Sequence, residues 1–427
     1  MRGSTLALWL VLTCTVPLAC EDEEPLSASD AGPATDAGPH DVGSSDVGGD
    51  ASTTDLGSED AGAGDGSTGD AGAATYCEAP SDLSSAVSTT LFSTDLASWS
   101  QSTHASAVAY PGGFAYVRLG PSFQNWIDLS SGPELNATWS EHGLLGDTYP
   151  VELDAEGSTL VSTMGIPESE GIGISTRTLS LTGTVLSTTT FSLPRPQMEP
   201  LSVTSTNGLP LALVEDRGAI RLVSATLDVA LDAPEIGSSA SVTGLISARL
   251  GLVATTVREA GTATSSVSLL DLGSSTPPVA RELACPSSWP ETPSFAWHPL
   301  GLVVALECGS GTRLMLLDRS DLSTLRSVEL SGAVSVPSRV GVDADGAIVI
   351  ARQLQTDTGP QLLYLGADLE TLRQVAITVP TELRTSLRQE LAVSPTVPGS
   401  VALFITGSGG HGSGPVGVAR VELCASP

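Results

Sequence analysis

From residue 105 onward, short apolar runs alternate with polar turns, and seven of the runs are opened by a glycine. These glycines are Gly113, Gly157, Gly208, Gly251, Gly301, Gly346 and Gly399, at intervals of 44, 51, 43, 50, 45 and 53 residues. The runs behind them, such as GLPLALVE at Gly208 and GLVVALEC at Gly301, are apolar at nearly every position. That pattern suits a strand buried on both faces. A shorter strand is predicted ahead of each glycine: Ala105–Tyr110, Pro150–Leu153, Leu201–Thr204, Val242–Ser247, Ser294–Trp297, Arg339–Val342 and Glu390–Val393. The intervening segments (YPGG, LDAEG, TSTNG, ARLG, WHPLG, VDADG, SPTVPG) carry the Gly and Asx residues that tight hairpins use for positive φ. A third strand alternates apolar and polar positions, as in Ile220–Leu222, Val267–Leu272 and Leu362–Leu365. A weaker fourth ends most repeats, as in Arg326–Leu330 and Gln374–Val379.

Four antiparallel strands per unit and seven units of about 48 residues predict an all-β fold. The architecture that fits is a seven-bladed β-propeller of four-stranded antiparallel blades. Sandwiches do not sustain such a period, and solenoid repeats are shorter. Phe295-Ala296-Trp297-His298-Pro299-Leu300-Gly301 and Val342-Asp343-Ala344-Asp345-Gly346 resemble inner-strand turns of secreted WD40-like and TolB-like propellers. The resemblance spans residues 104–423 as a repeat plan and implies the fold, not a substrate. The last repeat stops after its third strand, at Leu423-Cys424-Ala425-Ser426-Pro427. An open edge is a liability, so Val87–Thr94 (VSTTLFST), which precedes the first repeat, is predicted to complete the last blade.

Upstream, the pattern changes. Arg2 and the apolar Leu6–Leu12 read as an export signal over residues 1–20, with a core too short to span a bilayer. Val16-Pro17-Leu18-Ala19-Cys20 resembles a bacterial lipobox, which implies lipidation at Cys20. The alternative is ordinary signal cleavage nearby. Residues 21–76 repeat Asp-Ala-Gly, at Asp30, Asp36, Asp60 and Asp70, and almost lack large apolar side chains. Such a segment cannot offset its conformational entropy by burial and is predicted to be a disordered acidic linker. Residues 77–427 form the propeller. The expected location is an outer-membrane or cell-surface lipoprotein, otherwise a secreted or periplasmic protein.

The chain has eighteen arginines and no lysine, and its net charge is −30. Residues 81–427 carry 33 acids and 17 arginines, a balance of −16. This charge argues against nucleic-acid partners, and the missing lysine excludes Schiff-base chemistry. In an oxidising compartment Cys77 with Cys424, and Cys285 with Cys308, are expected to form disulfides. The first pair would clamp the ring where the two chain ends meet. A metal site at Cys285 and Cys308 lacks further nearby ligands.

Candidate chemistry is sparse. Long loops are expected on one face, at Gly165–Ser175, Arg258–Ser266, Arg352–Pro360 and Thr406–Pro415 within blades. Between blades they are expected at Glu134–Asp147, Pro194–Pro200, Pro286–Pro293 and Pro380–Gln389. Loops on a rigid scaffold commonly carry binding residues. The candidate ligand-face residues are Trp139, Glu141, His142, Arg195, Trp289, Arg384, Arg388 and His411. Tryptophans there could stack on sugar or pack within a blade, and the arginines could hold an anion. Asp343-Ala344-Asp345-Gly346 looks like half a calcium loop but reads better as hairpin chemistry, and no serine sits in a nucleophile elbow. No metal and no cofactor are implied. Two functions remain: a monomeric, non-enzymatic binding or scaffold protein for a protein or glycan ligand, touching the membrane only through its lipid, and an extracellular carbohydrate-active hydrolase or lyase.

Overall fold

The computed structural model describes residues 87–92 and, with interruptions, 105–424, all within a compact unit that runs from residue 71 to the C-terminus. Its strands form four-stranded antiparallel sheets. The first after the repeats begin is β2 (Ala105–Tyr110), β3 (Gly113–Leu119), β4 (Gln124–Asp128) and β5 (Asn136–Glu141). Next come β6 (Val151–Glu156), β7 (Thr159–Glu168), β8 (Gly171–Ser180) and β9 (Val185–Ser192). They are followed by β10 (Glu199–Thr206), β11 (Leu209–Asp216), β12 (Ala219–Val223) and β13 (Asp228–Ala230). A further sheet holds β14 (Ser241–Ile246), β15 (Leu250–Glu259), β16 (Thr262–Asp271) and β17 (Val279–Ala284). Then β18 (Ser294–His298), β19 (Gly301–Glu307), β20 (Gly311–Leu317) and β21 (Thr324–Ser331) pair in order. So do β22 (Val334–Val342), β23 (Ile348–Leu354), β24 (Gln361–Leu365) and β25 (Thr371–Ala376).

The remaining sheet is built from both ends of the chain. β26 (Ser386–Val393), β27 (Ser400–Gly407) and β28 (Val416–Glu422) are joined on their outer edge by β1 (Val87–Phe92). The register runs antiparallel from Val87 opposite Val421 to Phe92 opposite Val416. The N-terminal strand therefore covers the ladder groups that β28 would otherwise leave open.

These sheets are the blades of a β-propeller, packed face to face. The first strand of each is innermost, and β18, β22, β26, β2, β6, β10 and β14 lie beside one another in that order. Between β17 and the β18–β21 blade, Leu283 enters a cluster with Leu302, Val304, Leu306, Met315, Leu317 and Leu322. Arg281 of β17 donates there to the Leu322 carbonyl and, at 2.8 Å, to Thr324 Oγ1. The core is thus a series of inter-blade layers rather than one centre. β27 illustrates why second strands are apolar throughout. Val401, Leu403 and Ile405 pack on Val349, Leu362 and Tyr364 of one neighbouring blade. Ala402 and Phe404 pack on Ala109, Phe114 and Tyr116 of the other, with Tyr116 and Phe404 stacked at 4.8 Å between ring centroids. Outer strands β9 and β21 are mostly exposed, consistent with their weak sequence signal.

Several of the expected long loops are strand. β7 runs to Glu168 and β8 starts at Gly171, with Glu168 opposite Gly171, so only a two-residue turn interrupts 165–175. β15 and β16 likewise extend to Glu259 opposite Thr262. Small and β-branched residues there continue the ladder, and the charged glutamates mark strand ends rather than loops. Within 134–147, residues 136–141 are β5, the outer strand of their blade. Within 380–389, a 3-10 turn spans Thr381–Leu383 and β26 begins at Ser386, so Arg388 and Gln389 belong to an innermost strand.

Candidate functional site

The turns after the innermost strands are bound to structural tasks. His298 closes β18; its Nδ1 accepts from Leu300 N at 3.0 Å and its Nε2 donates to the Gly346 carbonyl of the next blade, also at 3.0 Å. Burial lowers its pKa, despite that carbonyl, and Arg319 nearby acts in the same direction. Asp343 occupies the matching place one blade on. Its Oδ1 accepts from Asp345 N and Ala347 N at 3.0 and 2.8 Å, and its Oδ2 from Gly399 N of the following blade at 3.2 Å. The Asp343 carboxylate therefore binds backbone amides of its own turn and of the next blade, as hairpin chemistry requires. Gly399 sits at φ +66°, and a Cβ there would meet Cys424 Sγ and Leu423 Cβ at 2.9 Å. The recurring glycine thus marks both a turn and an inter-blade contact.

One register position on the innermost strands is polar in blade after blade. Ser106, Glu152, Ser202, Thr243 and Ser294 each pair with the residue eleven positions on: Val117, Thr163, Leu213, Ala254 and Ala305. In β22 and β26 the nearest equivalents are Arg339 opposite Ala351 and Glu390 opposite Phe404. Two of the serines staple blades together: Ser106 Oγ accepts from Leu153 N at 3.1 Å, and Ser294 Oγ from Val340 N at 3.0 Å.

Charge gathers where serine is replaced. Glu390 Oε1 accepts from Arg388 Nε at 2.7 Å, and its Oε2 from Arg339 Nε at 3.2 Å. Burial opposes ionisation of Glu390, but the two guanidiniums outweigh it and hold the carboxyl below its ordinary range. Arg388 is raised in turn, because Glu390 and, more weakly, Tyr116 and Glu152 overcome the cost of its burial. Glu152 of β6 behaves in the opposite way. Burial first, then the negative charges of Asp154 and Glu390, push its carboxyl up to about 8, with Arg388 offsetting part of the effect. Glu152 is therefore mostly neutral at pH 7, while Glu390 stays ionised. β22, β26, β2 and β6 are consecutive innermost strands, so this arc draws its charges from neighbouring blades.

The sequence candidates fare unevenly. Arg388 joins the arc. Arg195 is instead paired with buried Asp216 at the end of β11, which ties the β9–β10 connection to its blade. Trp139 and Glu141 lie in β5, opposite Trp126 and Gln124 in the register, and their side chains are outside the described residues. His142, Trp289, Arg384 and His411 are outside the described residues altogether, as are Cys20, Cys77 and Cys285. Cys308 packs against the cluster of its blade around Leu302 and Leu322, and Cys424 against the cluster around Val401 and Leu423. Trp297 packs in a blade core with the Arg319 guanidinium 5.2 Å from its ring centroid. Sequence reasoning missed Glu152, Arg339 and Glu390 as site residues, although all three lie in or beside predicted inner strands. The available signal was a charge at a register position that other blades fill with Ser or Thr.

No protein-family model matches the chain, and no curated protein matches it. Solved structures do. A luciferin-regenerating enzyme aligns over 63% of this chain and 88% of its own, at 14% identity and a TM-score of 0.38. A protein of unknown function from Dyadobacter fermentans aligns over 79% and 99%, at 11% identity and a TM-score of 0.45. A KlHsv2 variant with loop 6CD replaced by a Gly-Ser linker aligns over 69% and 90%, at 11% and 0.38.

Proposed function

We propose that this chain is an exported protein, lipid-anchored at Cys20 and held off the membrane by its acidic linker, whose seven blades form one ring that binds a neutral glycan in the channel. The disulfides Cys77–Cys424 and Cys285–Cys308 belong to the same reading, since export delivers the cysteines to an oxidising compartment.

The observation that carries the binding site is the Arg339–Glu390–Arg388 ion-pair cluster, which joins β22 to β26 of the next blade. Closely spaced donors and acceptors suit sugar hydroxyls, which need both. The field of the whole molecule weighs against an anion, because residues 81–427 carry a balance of −16. A protein partner is less favoured. Among the described residues, the exposed large apolar side chains, Val185, Leu186, Leu209, Val279, Leu300, Leu325, Leu372 and Val397, are spread over several blades.

The test is binding of the mature protein to immobilised neutral and acidic oligosaccharides. Neutral ones are expected to bind, and Arg388→Leu to abolish binding while the protein stays folded by circular dichroism. Undiminished binding by a folded Arg388→Leu protein would remove the channel from the reading. Absence of an acyl mass on Cys20 in the mature protein would remove the anchor.

A further inference from the structure

We infer that a cleft between β17 and the β18–β21 blade binds a small zwitterion with an apolar body, an α-amino acid such as leucine. Arg281 takes its carboxylate and Glu329 its ammonium. The site is separate from the channel and stands whether or not a glycan binds there.

The cleft follows from how the two blades meet. Leu283 of β17 packs on Leu302, Met315 and Leu317, which closes the junction on its inner side. Further out a cleft of about 380 Å³ remains, lined by β17 on one side and by β20 and β21 on the other. Small-molecule sites run from about 300 to 1,000 Å³, so this volume suits a single small residue better than a chain. Leu283 and Met315 line it, each buried, and supply an apolar surface.

One wall carries an unpaired charge. Arg281 Nη1 donates to the Leu322 carbonyl and Nη2 to Thr324 Oγ1 at 2.8 Å, both across the junction. Neither acceptor is charged, and among the described residues Arg281 makes no ion pair. A guanidinium has further N–H groups beyond these two donors. It is therefore fixed on the cleft wall with its charge uncompensated, and a carboxylate is the acceptor that matches its fork best.

The other wall carries the opposite sign. Arg313 lies opposite Glu329 in the register of β20 and β21, and Met315 opposite Ser327. Strand alternation places these four residues on one face, the face that brings Met315 to the cleft. Glu329 Oε1 accepts from Arg313 Nη2 at 2.6 Å, and the side chain is still 68% exposed. Its Oε2 is left to meet a cation. A simple anion would face Glu329 and the neighbouring Glu282, and a simple cation would face Arg281. A neutral apolar molecule would engage neither charge. An apolar amino acid matches both walls and the buried surface between them. It also has no net charge, so the balance of −16 over residues 81–427 does not repel it.

The experiment titrates the mature protein with leucine, leucinamide, N-acetylleucine and glycine by calorimetry. Leucine is expected to bind. The other three lack the carboxylate, the ammonium and the apolar body in turn, and each should bind about tenfold more weakly or worse. Glu329→Gln should weaken leucine about tenfold and leave N-acetylleucine unchanged. Arg281→Gln should weaken leucine and leave leucinamide unchanged. Because Arg281 also joins two blades, urea midpoints are measured for both variants. Glu329→Gln, at an exposed position, carries the test if Arg281→Gln does not fold. No heat from leucine at about 10 mM would overturn the inference. So would affinities indifferent to the missing groups, or a folded Glu329→Gln protein that binds leucine as the wild type does. Binding of longer or acidic peptides without binding of leucine would overturn it as well.

Discussion

Replacing Glu152 by Gln should make the protein more stable at neutral pH, which is unusual for a change at a partly buried polar residue. The sign follows from the direction of the shift. The Glu152 carboxyl has an ordinary value of 4.5 and is pushed up to about 8 in the fold. Between those values the folded chain holds a proton that the unfolded chain has released, so stability falls as pH rises through that window and levels off above it. Each unit corresponds to about 1.4 kcal/mol, so the cost at pH 7 is at most about 3.5 kcal/mol. Glu152 is only partly buried, and water screening reduces the figure to about 1–2 kcal/mol. Gln is nearly isosteric and cannot ionise, so Glu152→Gln removes this contribution. Urea unfolding of both proteins from pH 5 to 9 measures it. The two should coincide near pH 5, with the variant progressively ahead toward pH 8. Parallel profiles, or a wild type that is the more stable at pH 8, would refute the reasoning. A carboxyl kept at such a cost is easier to understand as part of a site than as part of a scaffold.

Two further outcomes test the packing. Phe404→Ala removes a fully buried ring stacked on Tyr116 between the blade that closes the chain and its neighbour; urea unfolding should show a loss of about 3–5 kcal/mol. Asp343→Ala strips three backbone amides of their acceptor, one of them on the next blade. A loss of about 2–3 kcal/mol is expected from calorimetry, with faster amide exchange at Gly399 as the local signature. Exchange at Gly399 that matches the wild type would show that the inter-blade bond contributes nothing.

Much of the scaffold is legible in the chain because it is local chemistry repeated. Apolar second strands are continuous because each is pressed between two blades, as Val401 and Ala402 are on opposite faces of β27. Turn residues announce themselves because positive φ at Gly346 and Gly399 admits few alternatives. The need for a strand such as β1 follows from an incomplete final repeat. Loop lengths were harder to read. Gly171 and Gly173 look like loop residues but pair with Glu168 and Ile166 across an extended hairpin, where cross-strand neighbours outweigh local propensity.

The arc of charge needed the tertiary structure. Glu152 and Glu390 are separated by nearly the whole propeller in sequence and by one blade in space, because the ring brings the last innermost strand round to β2 and β6. Residue types and register by themselves determined that a polar position recurs on the innermost strands. Only closure of the ring decided which of those positions share an electrostatic environment. A carboxyl's proton is set by the charges within a few ångströms of it, and in a circular fold those neighbours come from opposite ends of the chain.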